Sequence, residues 1–270
     1  MWGADAVLRP VERFRLEMGS GVAGADTHHL DAVRIKVTLA DADLADARVE
    51  FNLAEPTARR SRLYFCEQPA AGRQLALFDA GLILRLRETD DHGREAVVLL
   101  RPCRPDRLPR RWTRPNPEES GVRIEGEWTP HERVVAASAS TPVSPRTFET
   151  AIHSDRALPE TFSARQRAFI TECAPTQPRF GRLQPFGPVD VLSWSRHVDD
   201  LRVAATLWTV RATTLDLLEL SVRAAPSEAA LVQPALIALV RGRGLDPEAF
   251  AATKTRTVLA LLADPGRARD

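Results

Sequence analysis

Lysine is nearly absent from this sequence, in which Lys36 and Lys254 are the only two among 37 basic residues and the rest are arginines. Acidic residues number 36, so the formal net charge at pH 7 is only +1. A chain this balanced has no global field that would attract nucleic acid or an anionic membrane. Any anion-binding site must therefore be local, and the two lysines are the first residues to locate in the fold.

Cysteines and long apolar runs are also scarce. Cys66, Cys103 and Cys173 are far apart and form no C-x-x-C pair, which predicts reduced, mostly buried thiols and argues against a cysteine-rich zinc site. No segment approaches the roughly 18 consecutive apolar residues of a membrane helix, and the first residues lack the apolar core of a secretion signal. We therefore expect a soluble, cytoplasmic protein that does not associate with membranes.

The length of 270 residues suits one large domain. We divide the chain into a leader (1–29), one domain (30–264) and a short tail (265–270). Strand candidates outnumber helices and follow one another as hairpins, which predicts an antiparallel α+β fold. Ser163 and Asp246 are suited to cap the first and the last of the predicted helices. The helices are predicted over Ser163 to Cys173, Ser227 to Arg241 and Pro247 to Ala263.

The strand candidates are rich in β-branched residues or alternate apolar and polar side chains. They are VRIKVTL, VEFNL, SRLYFCE, AGLILRLRE, EAVVLLRP, GVRIEGEW, ERVVAASA, PVDVLSW, DLRVAATLWTVR and TLDLLELSVR. The last two should be joined by a tight turn at Ala212 and Thr213. The segment ADADLADAR is either a short helix or a turn.

An arginine- and proline-rich segment, RPDRLPRRWTRPNPEES, follows the strand candidate EAVVLLRP. Its arginines and Trp112 could contact nucleic acid, but the composition is more typical of a solvated surface loop. Nucleic acid is therefore not an expected partner.

Several strand candidates are apolar on one face and charged on the other. In LILRLR, Leu82, Leu84 and Leu86 share one face, whereas Arg85 and Arg87 share the opposite face. Such a strand could simply be half solvated. Alternatively, the sheet could curl into a barrel that turns its charged faces inward, where arginines would bind phosphate oxygens and nearby carboxylates would share a hydrated metal ion.

The same alternation gives further charged faces. Their charged residues are Arg34, Lys36, Arg101, Arg123, Glu125, Glu127, Glu219 and Arg223.

An ordered set of motifs resembles the CYTH domain, the triphosphate tunnel metalloenzyme family. The motifs are LYFCEQPAAGRQLALFDAGLILRLRE, VVLLRPC, RIEGEW, FSARQRAFI, LLELSVR and ATKTRTVLALL. The similarity spans Val33 to Leu262 and is greatest to a divergent bacterial branch with a TKTRT helix. It implies an antiparallel β-barrel tunnel, with helices outside and at its mouths, that binds a triphosphate or polyphosphate together with Mg²⁺ or Mn²⁺.

The charged faces and the resemblance together suggest a site, although no catalytic residue is assigned. In this family, basic side chains hold the phosphates and glutamates hold the metal ions, while a water or an intramolecular hydroxyl attacks in line. The candidate phosphate ligands are Lys36, Arg85, Arg87, Arg101, Arg123, Arg223, Lys254 and Arg256. The candidate metal ligands are Glu125, Glu127 and Glu219.

The chain departs from the family pattern at its first strand, where the family carries E-x-E-x-K. The preferred match, Ala32 to Lys36, keeps only the lysine, and an alternative match, Arg48 to Asn52, keeps only Glu50. In addition, Leu99 replaces the lysine of the family's tvKlR motif. These changes make the tunnel more basic and predict binding of the polyanion with doubtful hydrolysis; an active Mg²⁺-dependent triphosphatase and a ligand-free scaffold are the alternatives.

Overall fold

The computed structural model of the chain describes residues 30–40, 43–69, 75–91, 93–114, 120–153, 160–211 and 215–264. Its strands are β1 (Ala32–Ala40), β2 (Arg59–Glu67), β3 (Leu82–Thr89), β4 (Arg94–Leu100), β5 (Arg123–Trp128), β6 (Arg133–Pro142), β7 (Gln184–Val198), β8 (Leu201–Thr209) and β9 (Asp216–Ala224). They close into one barrel in the order β1-β5-β6-β4-β3-β2-β7-β8-β9.

Helices surround this barrel and close one of its ends. They are α1 (Asp43–Glu50), α2 (Ala76–Asp79), α3 (Pro145–His153), α4 (Ala164–Cys173), α5 (Ala229–Gly242) and α6 (Lys254–Ala263). In the described part of the chain, none of them has both the length and the apolar character needed to cross a membrane.

Neighbouring strands run antiparallel around the barrel with one exception. β1 and β5 are parallel and place Arg34 opposite Glu127. The α+β barrel predicted from the sequence is therefore confirmed, although it is a mixed barrel and not a purely antiparallel one.

The outward faces of the strands are apolar and are covered by helices. Leu84 on β3 lies in a buried cluster with Phe148 of α3 and Phe169 of α4. On the other side of the barrel, Ile35 of β1 packs in a second cluster with Leu236 of α5. Burying a side chain of this size stabilises the fold by roughly 1.5–3 kcal/mol. The leucines of LILRLR thus form part of the outer core.

The inward faces change character along the barrel axis. At one end they are apolar, and Phe65, Ile83 and Trp208 pack there with Val258 and Leu259 of α6. The last helix therefore fills this end of the barrel. The remaining inward positions are mostly polar or charged, and they form the candidate site.

Two helix starts differ from the sequence prediction. The last helix begins at Lys254 and not at Pro247, because Asp246 makes a local turn by accepting a hydrogen bond from the Glu248 backbone amide. α5 begins at Ala229, two residues after the predicted Ser227. By contrast, the predicted Ser163 cap is confirmed, since its hydroxyl and the Gln166 side chain form a reciprocal capping box.

The strand predicted for VEFNL is wrong. Val49 and Glu50 end α1, and Asn52 follows in the left-handed region at φ 50°, where helices often terminate. This result also decides between the two matches to the family's first-strand motif, because only the segment from Ala32 to Lys36 lies in a strand. The segment ADADLADAR is largely helical.

All three cysteines are unpaired, as predicted. Cys66 is buried, and burial raises the pKa of the Cys103 and Cys173 thiols to about 11. The leader, the tail and the turn at Ala212 and Thr213 lie outside the described residues, although β8 and β9 do pair antiparallel.

Candidate functional site: the charged section of the barrel

A partly buried ion-pair network crosses the barrel interior from β1 to β4. Lys36 on β1 places its Nζ 2.8 Å from Oε1 of Glu127 on β5. The other carboxylate oxygen, Oε2, lies 2.8 Å from Nε of Arg101, just after β4. The three side chains are 16–18% exposed, so solvent screens these contacts only weakly.

Glu127 is held in its ionised form by this network. Burial by itself would raise the pKa of the carboxyl, but the charges and hydrogen bonds of Lys36 and Arg101 outweigh burial and lower the pKa to about 2. The network therefore carries a permanent negative charge between two cations at neutral pH.

The second lysine of the chain reaches the same interior from α6. Lys254 is the first residue of that helix and is only 8% exposed. Its Nζ lies 3.2 Å from Oε2 of Glu219 on β9 and 4.1 Å from the ring centroid of Trp208. Burial lowers the pKa of the Lys254 ammonium to about 8, although Glu219 opposes the shift.

Arg85 differs from its neighbours because its charge lacks a direct partner. Its Nε is buried and has no hydrogen-bond partner among the described residues. Burial, followed by the like charge of Arg87, lowers the pKa of its guanidinium, whereas Glu95 and Glu127 attract it only at longer range. Since an arginine cannot be deprotonated in a protein, Arg85 is a partly buried cation without a contacting anion in the described part of the chain.

These residues surround a cavity of about 150 Å³. Its polar wall consists of Lys36, Thr38, Arg85, Arg101, Glu127, Thr129, Glu132, Glu219, Thr253, Lys254 and Thr255. Ile83, Leu99 and Trp208 form part of an apolar wall, and the loop that precedes α6 covers one side. The cavity thus combines a high density of buried charge with a closed apolar end.

A second group of arginines lies on the inward face farther from α6. Glu125 on β5 is paired by Arg34, at 3.6 Å, and by Arg223, at 3.1 Å. Arg87 pairs with Glu95 at 2.7 Å. The side chains of Arg87 and Arg223 are each about half exposed. This end of the barrel is therefore more accessible to solvent than the α6 end.

The structure brings together four of the eight phosphate ligands predicted from the sequence. Lys36, Arg85, Arg101 and Lys254 line the cavity. Arg256 does not, because its guanidinium pairs with Asp79 at 3.1 Å and lies over the Phe78 ring. The remaining candidates are Arg87, Arg123 and Arg223, which lie on inward strand positions outside the cavity wall.

The predicted metal ligands do not form a three-carboxylate group. Glu127 and Glu219 line the cavity, but Glu125 does not. Within the described residues, no group of three histidine, cysteine, aspartate or glutamate side chains could hold a metal ion. The physical reason is that a cation accompanies each carboxylate, so the residues present do not fit a resident divalent ion.

Two features of the site escaped the sequence analysis. Trp208 and Thr206 lie on the same face of β8 and contact Lys254. This strand face carries little charge, so its sequence pattern gives no sign of a binding site. The segment from Phe250 to Thr253, which the sequence predicts as part of the last helix, is a loop that covers the cavity. By contrast, the strand alternation correctly placed Arg85 and Leu84 on opposite faces.

Trp112 is not available for contact with nucleic acid bases. It is 4% exposed, its ring packs edge-on against Phe169, and its Nε1 donates a hydrogen bond to Glu172. The arginine-rich loop is therefore anchored on α4 by this side chain.

Two solved structures are similar in fold to this chain over most of their length. A protein from Hippeastrum, studied as a candidate adenylyl cyclase and described as having a dominant triphosphatase activity, matches with a TM-score of 0.58 at 13% identity, over 85% of this chain and 95% of that one. This chain shares its fold. A candidate adenylate cyclase from Bacillus halodurans matches with a TM-score of 0.55 at 10% identity, over 84% of this chain and 97% of that one. No protein-family model matches the sequence, and no curated protein matches it significantly.

Proposed function

We propose that this protein binds a triphosphate or polyphosphate anion in the charged section of its barrel. The observation that carries the proposal is Arg85, whose buried Nε donates no hydrogen bond and whose guanidinium has no ion-pair partner in the described chain. An isolated buried charge costs several kcal/mol unless an opposite charge accompanies it. A phosphate group supplies that charge, and two of its oxygens can accept the parallel N–H groups of a guanidinium.

The surroundings of Arg85 favour a ligand with several negative charges. Lys36, Arg101 and Lys254 share its cavity, and Arg87 follows on the same strand face. A single phosphate could neutralise Arg85 alone, whereas a chain of phosphates could also contact these neighbours. The fold supports the same ligand class, since the Hippeastrum protein that shares it is described as a triphosphatase.

The direct test is a calorimetric titration of the protein with inorganic triphosphate and, separately, with inorganic monophosphate. We expect saturable binding of triphosphate and much weaker binding of monophosphate, because only the longer anion reaches several cations. Equal affinity for the two anions would contradict the proposal. Absence of heat with both anions would favour the ligand-free scaffold.

Hydrolysis of the ligand is the second candidate function. The observation that favours it is the shared fold with a protein described as a triphosphatase. A phosphate-release assay with triphosphate, in the presence of Mg²⁺ or Mn²⁺, separates it from binding alone. Release of phosphate that Arg85→Ala abolishes would establish turnover in this barrel, and binding without release would establish a binding protein.

Lys254 should make the affinity for triphosphate depend on pH. The pKa of its ammonium in the free protein is lowered to about 8 by burial, so this charge is present below that pH and is lost above it. A bound anion favours the charged form, so Lys254 should contribute its full share to binding below about pH 8 and lose it as the pH rises further. The measurement is the calorimetric affinity at several pH values.

The control for this prediction is Lys254→Arg, which keeps its charge across the range because arginine stays protonated. Its pH profile should be flatter than that of the unmodified protein. Protonation of the triphosphate itself affects both proteins equally and cancels in the comparison. Profiles of identical slope would show that Lys254 does not contact the anion.

A further inference from the structure

We propose that the barrel takes up its polyanion without a divalent metal, because the inward carboxylates act as counter-ions for the protein's own cations. The inference rests on the proposed function, and it defines the ligand more narrowly as the metal-free form of a triphosphate or polyphosphate.

Both oxygens of Glu127, which lines the cavity, already face cations. One oxygen accepts from Lys36 and the other from Arg101, each at 2.8 Å. A metal ion that bound either oxygen would lie beside a partly buried cation. Like-charge repulsion between the two, only weakly screened there, opposes metal binding.

Cations also lie beside the other two carboxylates. Both oxygens of Glu125 face arginines, Arg223 at 3.1 Å and Arg34 at 3.6 Å. Glu219 is paired with Lys254 at 3.2 Å. Cations thus stand beside every carboxylate that the sequence offered as a metal ligand, and the described residues contain no three-carboxylate group.

The same cations keep donors for a polyanion. A lysine ammonium has three N–H donors and an arginine guanidinium has five. Lys36 has one carboxylate contact, while Arg101 contacts Glu127 through Nε and Glu132 through Nη2. Arg85 has no ion-pair partner in the described chain. Phosphate oxygens can therefore join this network without breaking its ion pairs, whereas a metal ion is repelled by the same cations.

The first experiment is titration with inorganic triphosphate in EDTA and again with Mg²⁺ in excess over the ligand. We expect binding in EDTA to be as tight as in Mg²⁺ or tighter, because chelation by Mg²⁺ removes charge from the ligand. Binding that requires Mg²⁺ would overturn the inference and leave the proposed function intact. Absence of binding in both buffers would overturn the proposed function itself.

The second experiment uses Glu127→Gln, for which the two roles predict opposite signs. If Glu127 is a counter-ion, its removal frees Lys36 and Arg101 for the ligand and should tighten triphosphate binding in EDTA by about threefold or more. If it is a metal ligand, its removal should weaken binding in Mg²⁺. Glu219→Gln, which frees Lys254, should change affinity in the same direction as Glu127→Gln.

The matched control is Glu149→Gln on α3, whose side chain is half exposed outside the barrel and contacts His153 at 3.4 Å and Arg94 at 3.8 Å. Its affinity should equal that of the unmodified protein in both buffers. Thermal melts of all three variants identify any that fail to fold. If either Glu127→Gln or Glu219→Gln does not fold, the other variant tests the counter-ion role. Weaker binding of a folded Glu127→Gln or Glu219→Gln protein in EDTA would overturn the counter-ion role.

Discussion

Replacing Arg85 by alanine should weaken the binding of inorganic triphosphate by about tenfold or more. A charge-assisted hydrogen bond from a partly buried arginine contributes roughly 1.5–3 kcal/mol to the binding free energy. A difference of about 1.4 kcal/mol corresponds to a tenfold change in the dissociation constant. Arg85 should contribute at the upper part of this range, because its buried guanidinium is not shared with a carboxylate in the described chain. The measurement is the calorimetric dissociation constant in EDTA.

Arg60→Ala provides the matched control. Arg60 lies on the adjacent strand, β2, where its side chain is 58% exposed and pairs with Glu55. This variant removes an identical guanidinium from the barrel wall and should leave the affinity unchanged. Equal weakening by both substitutions would indicate a general surface-charge effect and would contradict a site at Arg85.

Arg85→Ala should also leave the fold as stable as before, since it removes a partly buried charge that has no ion-pair partner among the described residues. A chemical denaturation curve checks this expectation. A large loss of stability would mean that Arg85 supports the fold and would weaken its assignment as a ligand-binding residue.

Replacing the preceding residue of the strand, Leu84→Ala, should have the opposite outcome. Leu84 is 1% exposed and packs on the outer face of β3 in the cluster beneath α3 and α4. Truncating a buried leucine removes apolar contacts and leaves a cavity, and it typically lowers the free energy of unfolding by about 2–5 kcal/mol. Denaturation by urea measures the loss directly.

The fraction of Leu84→Ala that remains folded should bind triphosphate with nearly normal affinity, because the lost methyl groups face away from the ligand. The two neighbouring substitutions together test the division of β3 into an outer and an inner face. Loss of affinity without loss of stability in Leu84→Ala would refute that division.

The local chemistry of the chain was sufficient to predict much of the fold. Alternation in LILRLR separated Leu84 from Arg85, because successive side chains of any strand point to opposite faces. The Ser163 cap was also predictable, since it depends only on residues within the first helical turn. The segment VEFNL shows the limit of this approach. Its β-branched and aromatic residues favour a strand. In the structure, however, Val49 and Glu50 end α1, and Phe51 and Leu53 are buried in the core cluster that contains Ala47 of that helix.

The roles of the charged residues were less predictable than their faces. Glu125 and Glu127 were expected to share a metal ion, since two carboxylates on one strand face lie within reach of one. Whether a cation or a metal ion accompanies them depends on the register between β1 and β5, which pairs Arg34 with Glu127 across a parallel ladder. Parallel pairing of these strands brings together residues nearly a hundred positions apart, and local sequence does not encode it.

Alternation along the chain was enough to show which strand faces are charged and which are apolar, and hence that a curled sheet would enclose arginines and lysines. Folding then placed both lysines of the chain inside the barrel. Three further results follow from the folded arrangement alone: Lys254 starts α6, Arg256 turns away to Asp79, and Arg85 has no ion-pair partner among the described residues. These outcomes depend on distances of a few ångströms between side chains that are distant in sequence, and barrel closure, register and burial set those distances together.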